Sequence, residues 1–168
     1  MTLGAPGPLA DAHELAAFDS GLPSLDDRLK RRARANQSGG ATRTFVVAEG
    51  SRVIAYYAVA SGGIAAASAL GRFRRNMPDP IPVALLARLA IDRAWQGQGL
   101  GRALFRDCAA RVVHAADTLG IRGIIVHAIS EQAKPFYLAI GFEPSPLDPM
   151  LLMVTLSDVR AILGTTGE

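Results

Sequence analysis

The chain has 168 residues, 49% of them hydrophobic and 20% charged, with a formal net charge of +3. That length suits one domain able to bury roughly 70% of its unfolded surface, and the composition excludes a disordered chain, a collagen-like repeat and a coiled coil. A single cysteine, Cys108, excludes a disulfide framework and any multi-cysteine cluster, and His13, His114 and His127 lie too far apart for a metal-ligand spacing, so no metal is expected.

The apolar stretch from Pro82 to Ala90 is broken by Arg88 and is strand-sized, too short to span a bilayer. The N-terminus, MTLGAPGPLADAHEL, lacks the cationic start and continuous apolar run of a signal peptide, so a cytoplasmic location is expected. Residues 1–10 are rich in Pro and Gly and are expected to be loosely held. Ser24 reads as a helix N-cap, with Asp27 completing a capping-box pattern. Leu25, Leu29 and Ala33 follow at helical spacing, and Gln37-Ser-Gly-Gly-Ala41 ends that helix.

Arg43–Glu49 and Arg52–Val59 are rich in β-branched and aromatic residues and flank Gly50-Ser51, which predicts an antiparallel hairpin. Gly62 to Pro80 is a connection punctuated by Gly, Arg and Pro. Pro82–Asp92 is the next strand. After Gly97, residues Leu100, Leu104, Cys108 and Ala115 keep a period near 3.6, predicting a long helix that Gly120 ends, with Cys108 in the core. Arg122–Ala128 is a short apolar strand in which His127 reads as a core residue. Glu131–Ile140 is a short helix stopped by Gly141, and Met150–Leu156 is the last strand. The order helix, hairpin, strand, helix, strand, helix, strand predicts an α/β fold with a mixed sheet.

The chemistry is concentrated in Leu89-Ala-Ile-Asp-Arg-Ala-Trp-Gln-Gly-Gln-Gly-Leu-Gly-Arg102, a strand, a turn with glycines at 97, 99 and 101, and a helix start. Glycine lets the backbone turn sharply and approach a ligand closely. The N–H groups of such a turn and the positive end of the helix dipole make a cradle for a diphosphate. The spacing is not that of a dinucleotide-binding fingerprint, which needs a third glycine one residue later, nor of a P-loop, which needs a Lys-Ser/Thr pair.

Gln96-Gly-Gln-Gly-Leu-Gly101 resembles the Gln/Arg-x-x-Gly-x-Gly/Ala signature of the GNAT acetyltransferase superfamily. Ala133-Lys-Pro-Phe-Tyr137-Leu-Ala-Ile-Gly141-Phe142 resembles its second hallmark, an aromatic pair followed by x-x-x-Gly-Phe. Phe18-Asp-Ser-Gly21, Leu25-Asp26, Asn36-Gln37, Arg43–Val46, Ala55-Tyr-Tyr57, Pro82-Val83 and Leu86–Asp92 are similar to the acetylating toxins of type II toxin–antitoxin modules, which extends the likeness over nearly the whole chain. The resemblance implies the GNAT fold, an α/β domain with a mixed, mostly antiparallel sheet splayed at the acetyl-CoA site and helices on both faces. It implies one domain over residues 1–168, with a core at 43–156 and an N-terminal helical segment at 11–36.

What the resemblance implies for function is transfer of acetyl from acetyl-CoA to the α-amine of aminoacyl-tRNA, which stops translation. It also implies a ribbon–helix–helix antitoxin, repression of the operon by the pair through operator DNA, and a homodimer. Acetyl-CoA would lie against the backbone of Leu89, Ala90 and Ile91 and against Gln96, Gly97, Gln98, Gly99, Leu100, Gly101 and Arg102. Tyr137 falls on the family's catalytic tyrosine and would protonate the departing thiolate. Ser130 stands where many members carry an asparagine that binds the pantetheine arm.

An α-amine has an ordinary pKa near 8, so much of it is unprotonated at neutral pH and no strong base is needed. Orientation, polarisation of the thioester carbonyl and protonation of the thiolate are then the tasks left to the protein. Almost all cations are arginines, the better partner for phosphate. Two clusters, Arg28-Leu-Lys-Arg-Arg-Ala-Arg34 and Arg72-Phe-Arg-Arg75, nominate Lys30, Arg31, Arg34, Arg72, Arg74 and Arg75 for the acceptor stem of tRNA, with Trp95 and Phe73 as candidates for base stacking. The same clusters also read as solvated surface. Two other activities stay open at the level of sequence: acetylation of a protein N-terminus or small-molecule amine, and a non-enzymatic corepressor.

Overall fold

The computed structural model describes residues 3–165. The expected domain runs from residue 1 to residue 168, so its first two and last three residues lie outside the described ones. Two compact units make up the chain: unit 1 is Met1–Ala60 with Ala87–Cys108, and unit 2 is Ser61–Leu86 with Ala109–Glu168.

In unit 1 the first strand is β1 (Gly7–Pro8), paired antiparallel with β2 (Arg43–Glu49) through Gly7↔Val46 and Pro8↔Phe45. The segment expected to be loose is therefore held from Gly7 onward, and Leu9 is buried. The helical segment starts as α1 (Pro23–Asp27), passes through a π-helical stretch at Arg28–Arg32, and ends as α2 (Ala33–Ser38) before Gly39. Its cap is not Ser24. Leu22 precedes a proline at the first turn, and no side chain caps the start. Proline needs no N–H acceptor and presets the helical φ, so the hydroxyl two positions later has nothing to cap. Leu25, Leu29 and Ala33 bury with Phe18, Val46, Val53 and Tyr56 in one apolar cluster. Each large side chain there contributes about 1.5–3 kcal/mol.

β2 and β3 (Arg52–Ile64) form the expected antiparallel hairpin, with a register shift at Val47/Ala48. β3 runs five residues past the expected end at Val59, into the stretch read as a connection. Successive strand residues face opposite ways, and Tyr56 and Tyr57 show it. The Tyr56 hydroxyl donates to the carbonyl of Leu25 in α1 at 2.7 Å, whereas that of Tyr57 donates to Asp107 at 2.6 Å. Asp107 lies on α4 (Leu100–Ala115), so unit 1 carries helices on both faces of its strands. Cys108 of the same helix is buried, as expected.

In unit 2 the last part of β3 and the first part of β4 (Ile81–Ile91) lead to β5 (Gly123–His127), which pairs in parallel with β4 at Ala84↔Ile124 and Leu85↔Ile125. β7 (Leu151–Thr155) lies antiparallel to β5 on one side and to the short β6 (Glu143–Pro144) on the other. The hydrogen-bonded order of strands is β1-β2-β3-β4-β5-β7-β6, an α/β arrangement as expected. Every residue of β7 is buried. Gly123 meets β7 closely: a Cβ there would run into the Val154 carbonyl oxygen and the Phe73 ring.

Several unit 2 elements differ from expectation. A short helix, α3 (Gly71–Arg74), sits in the connection and buries Phe73, which removes that ring from any base-stacking role. The long helix α4 ends at Ala115 rather than at Gly120. α5 (Lys134–Ile140) starts three residues late, because Pro135 fits only its first turn. His127 is exposed at the end of β5 and is not a core residue. A C-terminal helix, α6 (Leu156–Thr165), follows β7 directly; the Asp158 N–H donates to Thr155 Oγ1 at 3.2 Å at its start.

Candidate active site

The glycine turn belongs to unit 1. β4 ends at Ile91, and Asp92 then caps a 3-10 turn at Arg93–Trp95 by accepting the Ala94 N–H at 3.0 Å. Gln96 is extended, Gly97 has φ 79° and Gly99 has φ 82°, after which α4 begins. Both φ values lie where side-chain-bearing residues rarely go, and a Cβ at either glycine would meet open space. The requirement is therefore one of backbone conformation. Gly101 is already inside the first turn of α4.

No backbone carbonyl takes the N–H groups of residues 97–102 among the described residues. Six amides are thus free at the positive end of a 16-residue helix, with Gly97, Gln98, Gly99 and Arg102 exposed. This is the chemistry a diphosphate needs. Of the preceding strand, Ala90 is buried and Leu89 and Ile91 are half-buried.

The turn is held from behind by residues 19–21. Asp19 N–H donates to Asp92 Oδ2 at 3.1 Å, and Arg93 N–H donates to the Asp19 carbonyl at 2.8 Å. Arg93 Nε reaches Asp19 Oδ1 at 3.2 Å. The Gln96 amide nitrogen donates to the Ile91 carbonyl at 2.8 Å and the Ser20 carbonyl at 2.9 Å. Gln96 therefore fixes the turn through its side-chain N–H groups, and Arg93 joins the brace. The Asp92 carboxylate is 4% exposed at the centre of it. Phe18-Asp-Ser-Gly21 carried the signal for this brace, but only as a family likeness.

Tyr137 belongs to unit 2. It lies on α5, 7% exposed, with Phe136 edge-on at 5.0 Å between ring centroids and Phe142 edge-on at 5.6 Å. Gly141 ends the helix with φ 129°, and the Phe142 N–H returns to the Tyr137 carbonyl at 3.1 Å. The Gly-Phe pair thus folds the chain back to seat Phe142 on the tyrosine ring. Ser130 Oγ accepts the Ala133 N–H at 3.2 Å, which engages it in the turn before α5.

The basic residues divide by what they touch. Arg34 donates to the carbonyls of Ala10, Asp11 and His13, the last at 2.5 Å, and so pins the N-terminal segment. Arg72 pairs with Glu143 at 2.6 Å and Asp158 at 2.5 Å, joining α3, β6 and α6. Its hydrogen bonds to Glu143 first, then to Asp158, raise its pKa above the ordinary arginine value. Lys30, Arg31, Arg74 and Arg75 are exposed, with Arg31 in a 4.0 Å pair with Asp27. Trp95 is half-buried. No group of three or more metal-ligating side chains occurs among the described residues, and no described helix is long and apolar enough to cross a membrane.

Comparison with known proteins matches residues 41–144 to the acetyltransferase (GNAT) domain model. The chain is 52% identical over 160 residues to a tRNA-acetylating toxin of Mycobacterium tuberculosis, covering 95% of this chain and 96% of that protein. It is similar to AtaT complexed with acetyl-methionyl-tRNAfMet, with a TM-score of 0.87 and 26% identity over 96% of this chain and 99% of that one. It is also similar to a tyrosine-to-phenylalanine variant of the AtaT toxin bound to the C-terminus of the antitoxin AtaR and acetyl-CoA, with a TM-score of 0.80 and 26% identity over 95% and 97% of the two chains. With the turn and the tyrosine segment in place and the domain model matched across both, the chain belongs to the GNAT acetyltransferase family and is an acetyl-CoA-dependent N-acetyltransferase.

Proposed function

We propose that this acetyltransferase is the toxin of a type II toxin–antitoxin module, that its acceptor is the α-amine of aminoacyl-tRNA, and that acetylation there blocks translation. The observation that carries this reading is 52% identity to a tRNA-acetylating toxin over nearly the full length of both chains. A ribbon–helix–helix antitoxin neutralises it, the pair represses its own operon, and the toxin works in the cytoplasm as a homodimer built from one domain over residues 1–168.

The residue roles follow from the chemistry. The amides of Gly97–Gly101, with Arg102, hold the diphosphate of acetyl-CoA, and Gln96 keeps the turn in shape. The backbone of Leu89–Ile91 pairs with the pantetheine arm and donates an N–H to the thioester oxygen. The neutral amine attacks the carbonyl carbon; a C–N bond forms, the C–S bond breaks, and water takes the proton from the amine. The Tyr137 hydroxyl gives its proton to the sulfur as it leaves and regains one from solvent. Of the six cations nominated from sequence, Lys30, Arg31, Arg74 and Arg75 are exposed and serve the acceptor stem; Arg34 and Arg72 hold the protein together.

The test is mass spectrometry of charged tRNA after incubation with enzyme and acetyl-CoA. N-acetyl-aminoacyl-adenosine released by nuclease digestion is the expected product. Unmodified aminoacyl-adenosine across all isoacceptors, with acetyl-CoA consumed by another amine, would refute the reading.

A further inference from the structure

The brace of residues 19–21 holds the glycine turn from its strand side. Beyond the turn lies the start of α4, and a different pair of side chains ties that helix to the sheet. Tyr57 of β3 is buried and points to the face opposite Tyr56. Phe45 of β2 is its direct partner in the antiparallel ladder, and the two rings stack with centroids 5.2 Å apart and planes inclined by 24°. The phenol is thus held by backbone pairing as well as by its ring. Its hydroxyl donates to Asp107 Oδ2 of α4 at 2.6 Å.

Leu104, Phe105 and Cys108 of α4 are buried. Apolar burial resists separation but has no direction, so by itself it leaves a helix free to slide along its axis and to roll. A hydrogen bond to a carboxylate is short and directional, and roughly twice as strong as one between neutral groups. Tyr57 therefore pins one point of α4 to a rigid ladder. Asp107 follows Gly101 by six residues, which at about 1.5 Å per residue puts roughly 9 Å of helix between the pin and the free amides. Over that length the helix moves as one body, so a shift at Asp107 reaches its first turn undiminished. A misplacement of about 1 Å is enough to spoil the alignment of groups that must meet a substrate.

We propose that Tyr57 and Asp107 are positioning residues for acetyl-CoA. Their hydrogen bond sets the height and roll of α4, and so the aim of the amides of residues 97–101. This role rests on the reading that those amides hold the diphosphate.

The experiment compares CoA with pantetheine, and acetyl-CoA with S-acetylpantetheine; the second of each pair lacks the diphosphate. Tyr57→Phe deletes the donor and keeps the ring on Phe45. Asp107→Ala deletes the acceptor from a half-buried helix position and leaves the strands untouched. Asp107→Asn keeps an acceptor oxygen. Tyr56→Phe is the control, because it loses a bond of similar length, 2.7 Å, on the other face of the same strand. Calorimetry needs no acceptor: Kd for CoA should rise about five- to tenfold in Tyr57→Phe and in Asp107→Ala. The double variant should lose no more than either single one, since the same bond is absent from all three. Asp107→Asn should recover most of the affinity. In the thiol-release assay KM for acetyl-CoA should rise by the same factor, with kcat at saturating donor within about twofold of wild type. Neither kcat/KM for S-acetylpantetheine nor the affinity for pantetheine, measured by competition, should move. Tyr56→Phe should bind CoA as the wild type does.

Unchanged CoA affinity in Tyr57→Phe and Asp107→Ala, or an equal loss in Tyr56→Phe, would overturn the inference. So would equal losses on CoA and pantetheine, the result expected if the bond only stabilises the fold. A wild type that binds CoA no better than pantetheine refutes the diphosphate cradle and this inference with it. If the wild type discriminates and Tyr57→Phe discriminates as well, the positioning role alone fails.

Discussion

Replacing Asp92 should uncouple the glycine turn from its support. Its carboxylate accepts the Asp19 N–H at 3.1 Å and the Ala94 N–H at 3.0 Å, and Arg52 stands 3.8 Å from Oδ2. Asp92→Ala removes both acceptors from a site that is 4% exposed. A hydrogen bond to a charged group contributes about 1.5–3 kcal/mol, so losing these two costs roughly 3–6 kcal/mol, a large share of a total stability of about 5–15 kcal/mol. Asp92→Asn keeps the volume and one acceptor oxygen and should cost about half as much. Urea unfolding measures both through the midpoint at constant slope. Residues 93–99 lose their anchor in the same step, so KM for acetyl-CoA should rise in Asp92→Asn while kcat changes less. An Asp92→Ala protein within about 0.5 kcal/mol of wild type, the scatter of surface substitutions, would show that the brace contributes nothing and refute the reasoning.

Tyr137→Phe should keep the fold, since the ring still packs on Phe142, and should lower kcat by about 10²- to 10⁴-fold; an unchanged kcat in the thiol-release assay would remove the phenol from the mechanism. Gly99→Ala meets open space but imposes φ 82° on a residue with a Cβ, at about 1–2 kcal/mol, and should raise KM for acetyl-CoA, as a titration of initial rates would record. Tyr56→Phe should lose about 0.5–1.5 kcal/mol with the bond to Leu25. Burial holds the Tyr56 pKa well above its ordinary value of 10.0, so above that pH the unfolded chain gives up this proton while the native protein keeps it. Stability must then fall as pH rises past 10, and chemical unfolding at pH 8 and pH 11 should show a smaller drop for Tyr56→Phe than for wild type.

The sequence disclosed what depends on local chemistry and concealed what depends on distant partners. The hairpin, the glycine turn and the stop at Gly141 each follow from nearby residue types: β-branched runs, positive φ, and a helix whose N–H and carbonyl groups must end somewhere. The second half of β3 was hidden because Ser61, Gly62 and Gly63 have poor strand propensity. α6 was hidden because it follows β7 without a loop, leaving no turn signal between a strand and a helix. Charge was the most misleading guide. Arg34 and Arg72 belong to the clusters that suggest nucleic acid, yet their forks are engaged by three carbonyls of the N-terminal segment and by Glu143 and Asp158. Arg88, which breaks the apolar run of its strand, spends a guanidinium N–H on the carbonyl of its neighbour Ala87 at 2.6 Å. Counting cations along a chain finds density. A site for an anion needs cations whose hydrogen bonds are still unspent, and that depends on the partners each arginine finds in the fold, as the engaged forks of Arg34 and Arg72 show.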